Sequence, residues 1–154
     1  MLRKLVPLAA LAFALVTLGS ASASGEPFFG AVIDQPGTVI RGGTYMFRYE
    51  AQADNITTLK VSLKLPGQMA MVKNRSSYYV LQNGQPTWTL RNVHSRTKGK
   101  AFTFRVKVLQ SAKPGTKLIL KFTPRVVASP LKYPPSFLEK VPVFVVKKGG
   151  SPQL

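Results

Sequence analysis

Four segments of this chain alternate apolar and polar residues with period two, and that pattern constrains the fold more than any other feature. In Thr44 to Ala51, the residues Tyr45, Phe47, Tyr49 and Ala51 fall on one face, and Met46, Arg48 and Glu50 on the other. Leu59, Val61, Leu63 and Leu65 oppose Lys60, Ser62 and Lys64. Phe102, Phe104, Val106 and Val108 oppose Thr103, Arg105 and Lys107, and Leu118, Leu120 and Phe122 oppose Ile119, Lys121 and Thr123. Period two over about seven residues marks an antiparallel strand with one buried face. No stretch of comparable helical periodicity follows the first 23 residues.

Weaker strands fill the gaps. Phe28 to Ile33 reads as a first strand closed by the turn Asp34-Gln35-Pro36-Gly37. Ser77 to Leu81 and Gln85 to Leu90 flank Asn83-Gly84, the strongest short hairpin signal. Leu138 to Val146 reads as a last strand. Pro142 within it has no N–H for a ladder and suits an edge, where Lys140, Lys147 and Lys148 discourage further pairing. Turns rich in Gly and Pro separate the strands, and Ser129 to Ser136 reads as a long proline-rich loop. The expectation is an all-β, immunoglobulin/fibronectin-III-like antiparallel β-sandwich of seven or eight strands.

Residues 1–23 are set apart. Arg3 and Lys4 precede an apolar run from Leu5 to Leu18, and Ala21-Ser22-Ala23 offers small residues for a signal peptidase. The organisation expected is a cleaved signal peptide over 1–23, a sandwich over 24–146 and a short tail over 147–154. A secreted, extracellular location follows, or a periplasmic or envelope one in a bacterium. The chain holds no Cys, which removes disulfide frameworks, thiolate catalysis and zinc–cysteine sites.

Twenty-two Lys and Arg face five Asp and Glu, a formal charge of +17. Such a surface attracts polyanions: acidic polysaccharide, an anionic envelope or cell surface, or nucleic acid. The basic residues form two sets. Lys60, Lys64, Arg105, Lys107, Lys121 and Arg125 lie on the solvent faces of strands, and Arg91, Arg96, Lys98 and Lys100 lie in a basic segment. If the strands carrying Lys60/Lys64 and Lys121/Arg125 share a sheet, one face becomes a basic plate. The competing reading is charge spread evenly for solubility.

Catalytic groups are missing. The single histidine, His94, sits among cations with no carboxylate to orient it, and reads as an exposed loop residue. The carboxylates are scattered, none at metal-ligand or glycosidase spacing, so no cofactor, metal or enzymatic role is expected. Trp88 is expected between the sheets. Of Tyr78 and Tyr79, one must face outward. Tyr133 and Phe137 either cap the sandwich end or stand exposed beside Lys132. Asn55 and Asn74 open glycosylation sequons that matter in a eukaryotic secretory pathway.

A family resemblance runs through the body of the chain. Gly43-Thr44-Tyr45-Met46-Phe47-Arg48-Tyr49, Leu65-Pro66-Gly67-Gln68-Met69 and Trp88-Thr89-Leu90-Arg91-Asn92-Val93 occur in the order of a repeat of microbial surface proteins. Asn55 stands where that repeat turns, and Lys98-Gly99-Lys100, Phe102 to Val108 and Ala112-Lys113-Pro114-Gly115-Thr116 follow in the family order. The chain thus resembles the eleventh catalogued family of domains of unknown function, from Gly43 to Phe122. That resemblance implies a sandwich fold and a binding or structural role outside the cell. The chain departs from the family in its basic surface, its single copy and its lack of a wall-anchoring signal. The functional expectation is a non-enzymatic module that associates with an anionic extracellular surface or polymer. The alternative is a structural subunit that assembles, with itself or another protein, through its edge strands.

Overall fold

The computed structural model describes residues 11–16, 26–73 and 78–149. Eleven strands and no helix occur among the described residues. They are β1 (Leu11–Val16), β2 (Phe29–Pro36), β3 (Thr38–Val39), β4 (Thr44–Ala53), β5 (Ile56–Lys64), β6 (Met69–Val72), β7 (Val80–Gln82), β8 (Gln85–Val93), β9 (Lys100–Val108), β10 (Lys117–Ala128) and β11 (Glu139–Val145). One sheet has the order β1-β2-β4-β9-β6, and the other β3-β11-β10-β5-β8-β7. All pairings are antiparallel except the two-residue contact of β3 with β11.

The core is the set of apolar faces read from the alternation. Phe47, Tyr49 and Ala51 from β4 and Phe104 and Val106 from β9 meet Leu59, Val61, Leu63, Leu120 and Phe122 from the opposite sheet, all buried. Trp88 lies between the sheets as expected, 2% exposed and stacked on Phe102 with ring centroids 4.2 Å apart. Tyr78 is 95% exposed, whereas Tyr79 leans on Trp88. Aromatic faces at such distances add to the area they bury.

All eight strands expected from sequence are present, so the sandwich stands; the count rises to eleven through β1, β3 and β6. The turn expected at Asp34 to Gly37 is instead the end of β2, which pairs with β4 as far as Asp34 and with β1 as far as Pro36. Strand β10 also outruns its expected end, through Pro124. Pro124 accepts from the Phe137 N–H at 2.9 Å, so its ring nitrogen faces the segment just before β11, where its lack of a donor breaks no strand ladder. Pro142 is similar: Phe144 and Val146 donate to Gly37 and Val39, so two residues earlier the nitrogen faces the open side of β11.

Asn83 and Gly84 have φ of 52° and 74°, which gives the tight β7–β8 hairpin a turn whose twist matches its strands. Asn92 also has positive φ, at 55°. That break in the alternation lets both Leu90 and Val93 turn into the core. Gly99 is fixed by close approach, since a Cβ there would stand 2.0 Å from the Ala51 carbonyl oxygen.

The proline-rich loop caps one end. Phe137 stacks on Phe29 at 4.5 Å, and the Tyr133 hydroxyl donates to the Phe28 carbonyl at 3.0 Å while accepting from the Asp54 N–H at 3.2 Å. Asp54 accepts from the Phe28 N–H at 2.7 Å and pairs with Arg96, whose guanidinium lies over the Phe28 ring. The entry to β2 is thereby tied to both loops at that end. The expected signal-peptide boundary lies outside the described residues; within the segment, β1 runs along β2.

Candidate functional site

Strands β5 and β10 are neighbours, and their register brings the basic side chains of the outer face into opposition. Lys60 stands directly across from Arg125, and Lys64 from Lys121. Lys121 in turn stands across from Lys140 of β11. Alternation puts all five on the side away from the core. The face therefore carries one row of three lysines, Lys64–Lys121–Lys140, and a second row of Lys60 and Arg125. Between them lies a hydroxyl row of Thr123, Ser62 and Thr87, in which Ser62 and Thr87 are hydrogen-bonded at 3.1 Å. The cationic rows are about 13 Å apart along the strands, with the hydroxyl row about midway.

Like charges directly opposite one another destabilise a sheet by about 0.2–1 kcal/mol per pair. Three such pairs occur here, and among the described residues the outer face of this sheet presents no carboxylate. Arg91 of β8 extends the cationic area beside Thr58. A groove of about 300 Å³ continues it at the other end, lined by Lys64, Pro66, Lys117, Ile119 and Lys121. Lys117 was missed as a site residue, although it shares the outward phase of Lys121. Lys140 was assigned only to edge protection, because its alignment with Lys121 depends on register.

Four of the five carboxylates are elsewhere. On the other sheet Arg48 lies 3.7 Å from Asp34 and donates to Glu50 at 2.6 Å. Burial raises the Glu50 pKa, but hydrogen bonds from Gln52, Arg48 and the Gly99 N–H outweigh it and hold the carboxyl below its usual value. Asp54 is likewise held low, by Arg96 first and then by the Phe28 N–H. Glu26 lies ahead of β2 and is exposed.

Glu139 is the one carboxylate within a strand of the six-stranded sheet, and it points inward. It is 1% exposed and accepts from the Tyr49 hydroxyl at 2.9 Å. Its second oxygen has no hydrogen-bond partner among the described residues. Burial pushes its pKa to about 7, against a smaller lowering by the Tyr49 bond, and burial raises Tyr49 in turn. At neutral pH Glu139 is thus partly protonated and offsets little of the charge outside.

The remaining residues of the two basic sets do not join the plate. Arg105 and Lys107 lie on the outer face of β9 in the other sheet, opposite Met46 and Thr44. Arg96 is engaged by Asp54, Lys98 lies in the loop that follows β8, and Lys100 opens β9 opposite Ala51. His94 is exposed. Asn55 is exposed at the β4–β5 turn, and Asn74 lies outside the described residues. Among the described residues no three His, Cys, Asp or Glu side chains converge on a possible metal position.

No protein-family model matches the chain, and no curated protein does. Solved structures do resemble it. One is the CARDB domain of a Pyrococcus furiosus protein, crystallised in complex with di-metal ions. It is 13% identical, with a TM-score of 0.53, over 82% of this chain and 100% of that one. Another is an altered form of the major pilin subunit of Bacillus cereus, 12% identical with a TM-score of 0.48, over 79% of this chain and 40% of that one. At such identity the likeness is one of fold, and the fold is the immunoglobulin-like sandwich.

Proposed function

We propose that the chain is an exported, non-enzymatic β-sandwich that attaches to an anionic polymer or surface through the outer face of its six-stranded sheet. The supporting observation is the register that sets Lys60 against Arg125 and Lys121 between Lys64 and Lys140, with no carboxylate among them. An isolated sheet gains nothing from that arrangement. A polyanion laid across it converts mutual repulsion into shared attraction and releases its own counterions. Lysines supply most of the charge, and their compact, mobile ammonium groups suit repeated sulfate, carboxylate or phosphate groups better than one fixed geometry.

The sequence resemblance to microbial surface repeats and the leader-like residues 1–23 support an extracellular or envelope setting. Chromatography on an acidic polysaccharide tests the proposal. Elution at higher salt than a control protein of equal net charge is expected. Elution at the same salt would reduce the plate to ordinary surface charge. Competition by single-stranded DNA as effective as that by the polysaccharide would redirect the assignment to nucleic acid.

A further inference from the structure

The second sheet edge of interest is β2. Its six-residue antiparallel pairing with β1 runs from Leu11 opposite Pro36 to Val16 opposite Ala31. β1 lies wholly within the segment read as a leader. If that segment is removed, β2 becomes the edge of its sheet, and its properties differ from those of every other edge. β6 and β7 have four and three residues. β11 carries Pro142 and Lys140 and is partly covered by β3. β2 has eight residues, and from Phe29 to Ile33 it has neither charge nor proline. A long, uncharged edge is a template for another strand.

We propose that the processed chain forms a two-fold dimer by antiparallel pairing of β2 with β2 of a second copy. The proposal rests on the reading of residues 1–23 as a leader and extends the polyanion-binding reading. Three observations favour this occupant. First, the edge accepts a strand, as β1 shows, but β1 is an imperfect fit. With β1 seated, Asp34 Oδ1 and Gln35 Oε1 are buried without hydrogen-bond partners among the described residues. Second, the charge distribution allows two basic copies to approach here. Glu26, Asp34, Glu50 and Asp54, four of the five carboxylates, lie on or at the ends of β2 and β4, and among the described residues only Arg48 and Arg96 form ion pairs with them. Third, the sequence pairs with itself. Centred on Val32, the register sets Ile33 against Ala31 and Asp34 against Gly30. Core positions then meet core positions, and the two Asp34 side chains are not opposed.

The symmetry has a consequence for binding. A two-fold axis between antiparallel strands of one sheet stands perpendicular to that sheet. Both six-stranded sheets then lie on the same side of the joined sheet, with their cationic faces turned the same way. One polymer crossing both plates would be held bivalently, which strengthens binding without any new contact.

Sedimentation equilibrium of the exported chain, with its N-terminus sequenced, tests this. The processed chain is expected to be a dimer, and a chain that retains residues 1–23 a monomer. Val32→Lys, at an outward position of the edge, should give a folded monomer. Ala31→Pro should do the same by removing an N–H aimed at the edge, because Phe28, three residues earlier and so in the opposite phase, bonds its main chain towards Asp54 on the β4 side. If Ala31→Pro unfolds, Val32→Lys alone decides. A processed chain that stays monomeric at every concentration overturns the proposal, as does a dimer that survives Val32→Lys, or an exported chain that keeps residues 11–16. The Val32→Lys monomer should keep the salt dependence per chain while losing affinity for a long polysaccharide by about a hundredfold. Lys60→Glu with Lys121→Glu should stay dimeric and lower the log–log salt slope by about two. The two readings therefore fail separately.

Discussion

The two outer faces of the sandwich handle charge in opposite ways. On the five-stranded sheet Arg48 sits between Asp34 and Glu50, and Glu50 also accepts from Gln52 and the Gly99 N–H. Charges there are matched by neighbours, and what remains, Arg105 and Lys107, lies along a single strand between uncharged residues. On the six-stranded sheet the register aligns cations in rows, and the only strand carboxylate is turned inside. Both faces arise from the same period-two pattern. The difference shows that composition sets how much charge a surface carries, whereas register decides whether the charge is neutralised locally or left available to a partner.

The largest effect concerns the inward carboxylate. The fold raises the Glu139 pKa from 4.5 to about 7, so it favours the protonated form. That stability is fully present below the unfolded value near 4.5 and is lost as pH rises through about 7. The loss between pH 4.5 and pH 8.5 should be about 3 kcal/mol from this group. Glu139→Gln keeps a partner for Tyr49 and should flatten that part of the pH profile in chemical denaturation. A wild-type-like slope in the variant would mean that Glu139 is reached by water and does not set the contrast between the sheets.

Breaking the matched face comes next. Arg48→Ala leaves Asp34 and Glu50 without their cation. Because the arginine side chain is 39% exposed, water screens much of the change, and a loss of about 1 kcal/mol is expected. Denaturant midpoints at low and high salt check it, and the loss should shrink in salt.

The unmatched face should respond in the opposite direction. Lys121→Glu places an acid between Lys64 and Lys140, replacing two like-charge pairs by two opposite ones. Stability without ligand should rise by about 0.5 kcal/mol, while polysaccharide affinity falls by tenfold or more. One substitution that stabilises the fold and weakens binding would sharpen the comparison considerably. A destabilised variant would show that the lysine row is already relieved by some other contact.

Much of this was legible in the sequence because period two needs only local information. Together with the turn and hairpin signals it located eight strands, the core faces, the buried Trp88 and the outward phase of Lys60, Lys64, Lys121 and Arg125. The rest depended on contacts distant along the chain. Met69 to Val72 is apolar throughout, so β6 has no alternation and is defined only by pairing with β9. Asp-Gln-Pro-Gly has turn composition, yet β2 runs through its first three residues because β4 pairs with it as far as Asp34 and β1 as far as Pro36. Nothing local separates Arg105 and Lys107 from the plate; their assignment to the other sheet follows from strand order. The Tyr49–Glu139 bond joins residues 90 positions apart, and neither residue announces the other.

The central claim is that position, not total charge, determines binding. It is tested most directly by measuring the salt dependence of polysaccharide affinity for two double variants with the same net charge, Lys60→Glu with Lys121→Glu and Arg105→Glu with Lys107→Glu. The first pair should lower the log–log slope by about two and weaken binding by about a hundredfold at low salt, and the second should leave both near wild type. Equal losses from the two pairs would contradict the account and make the attraction a property of the whole surface.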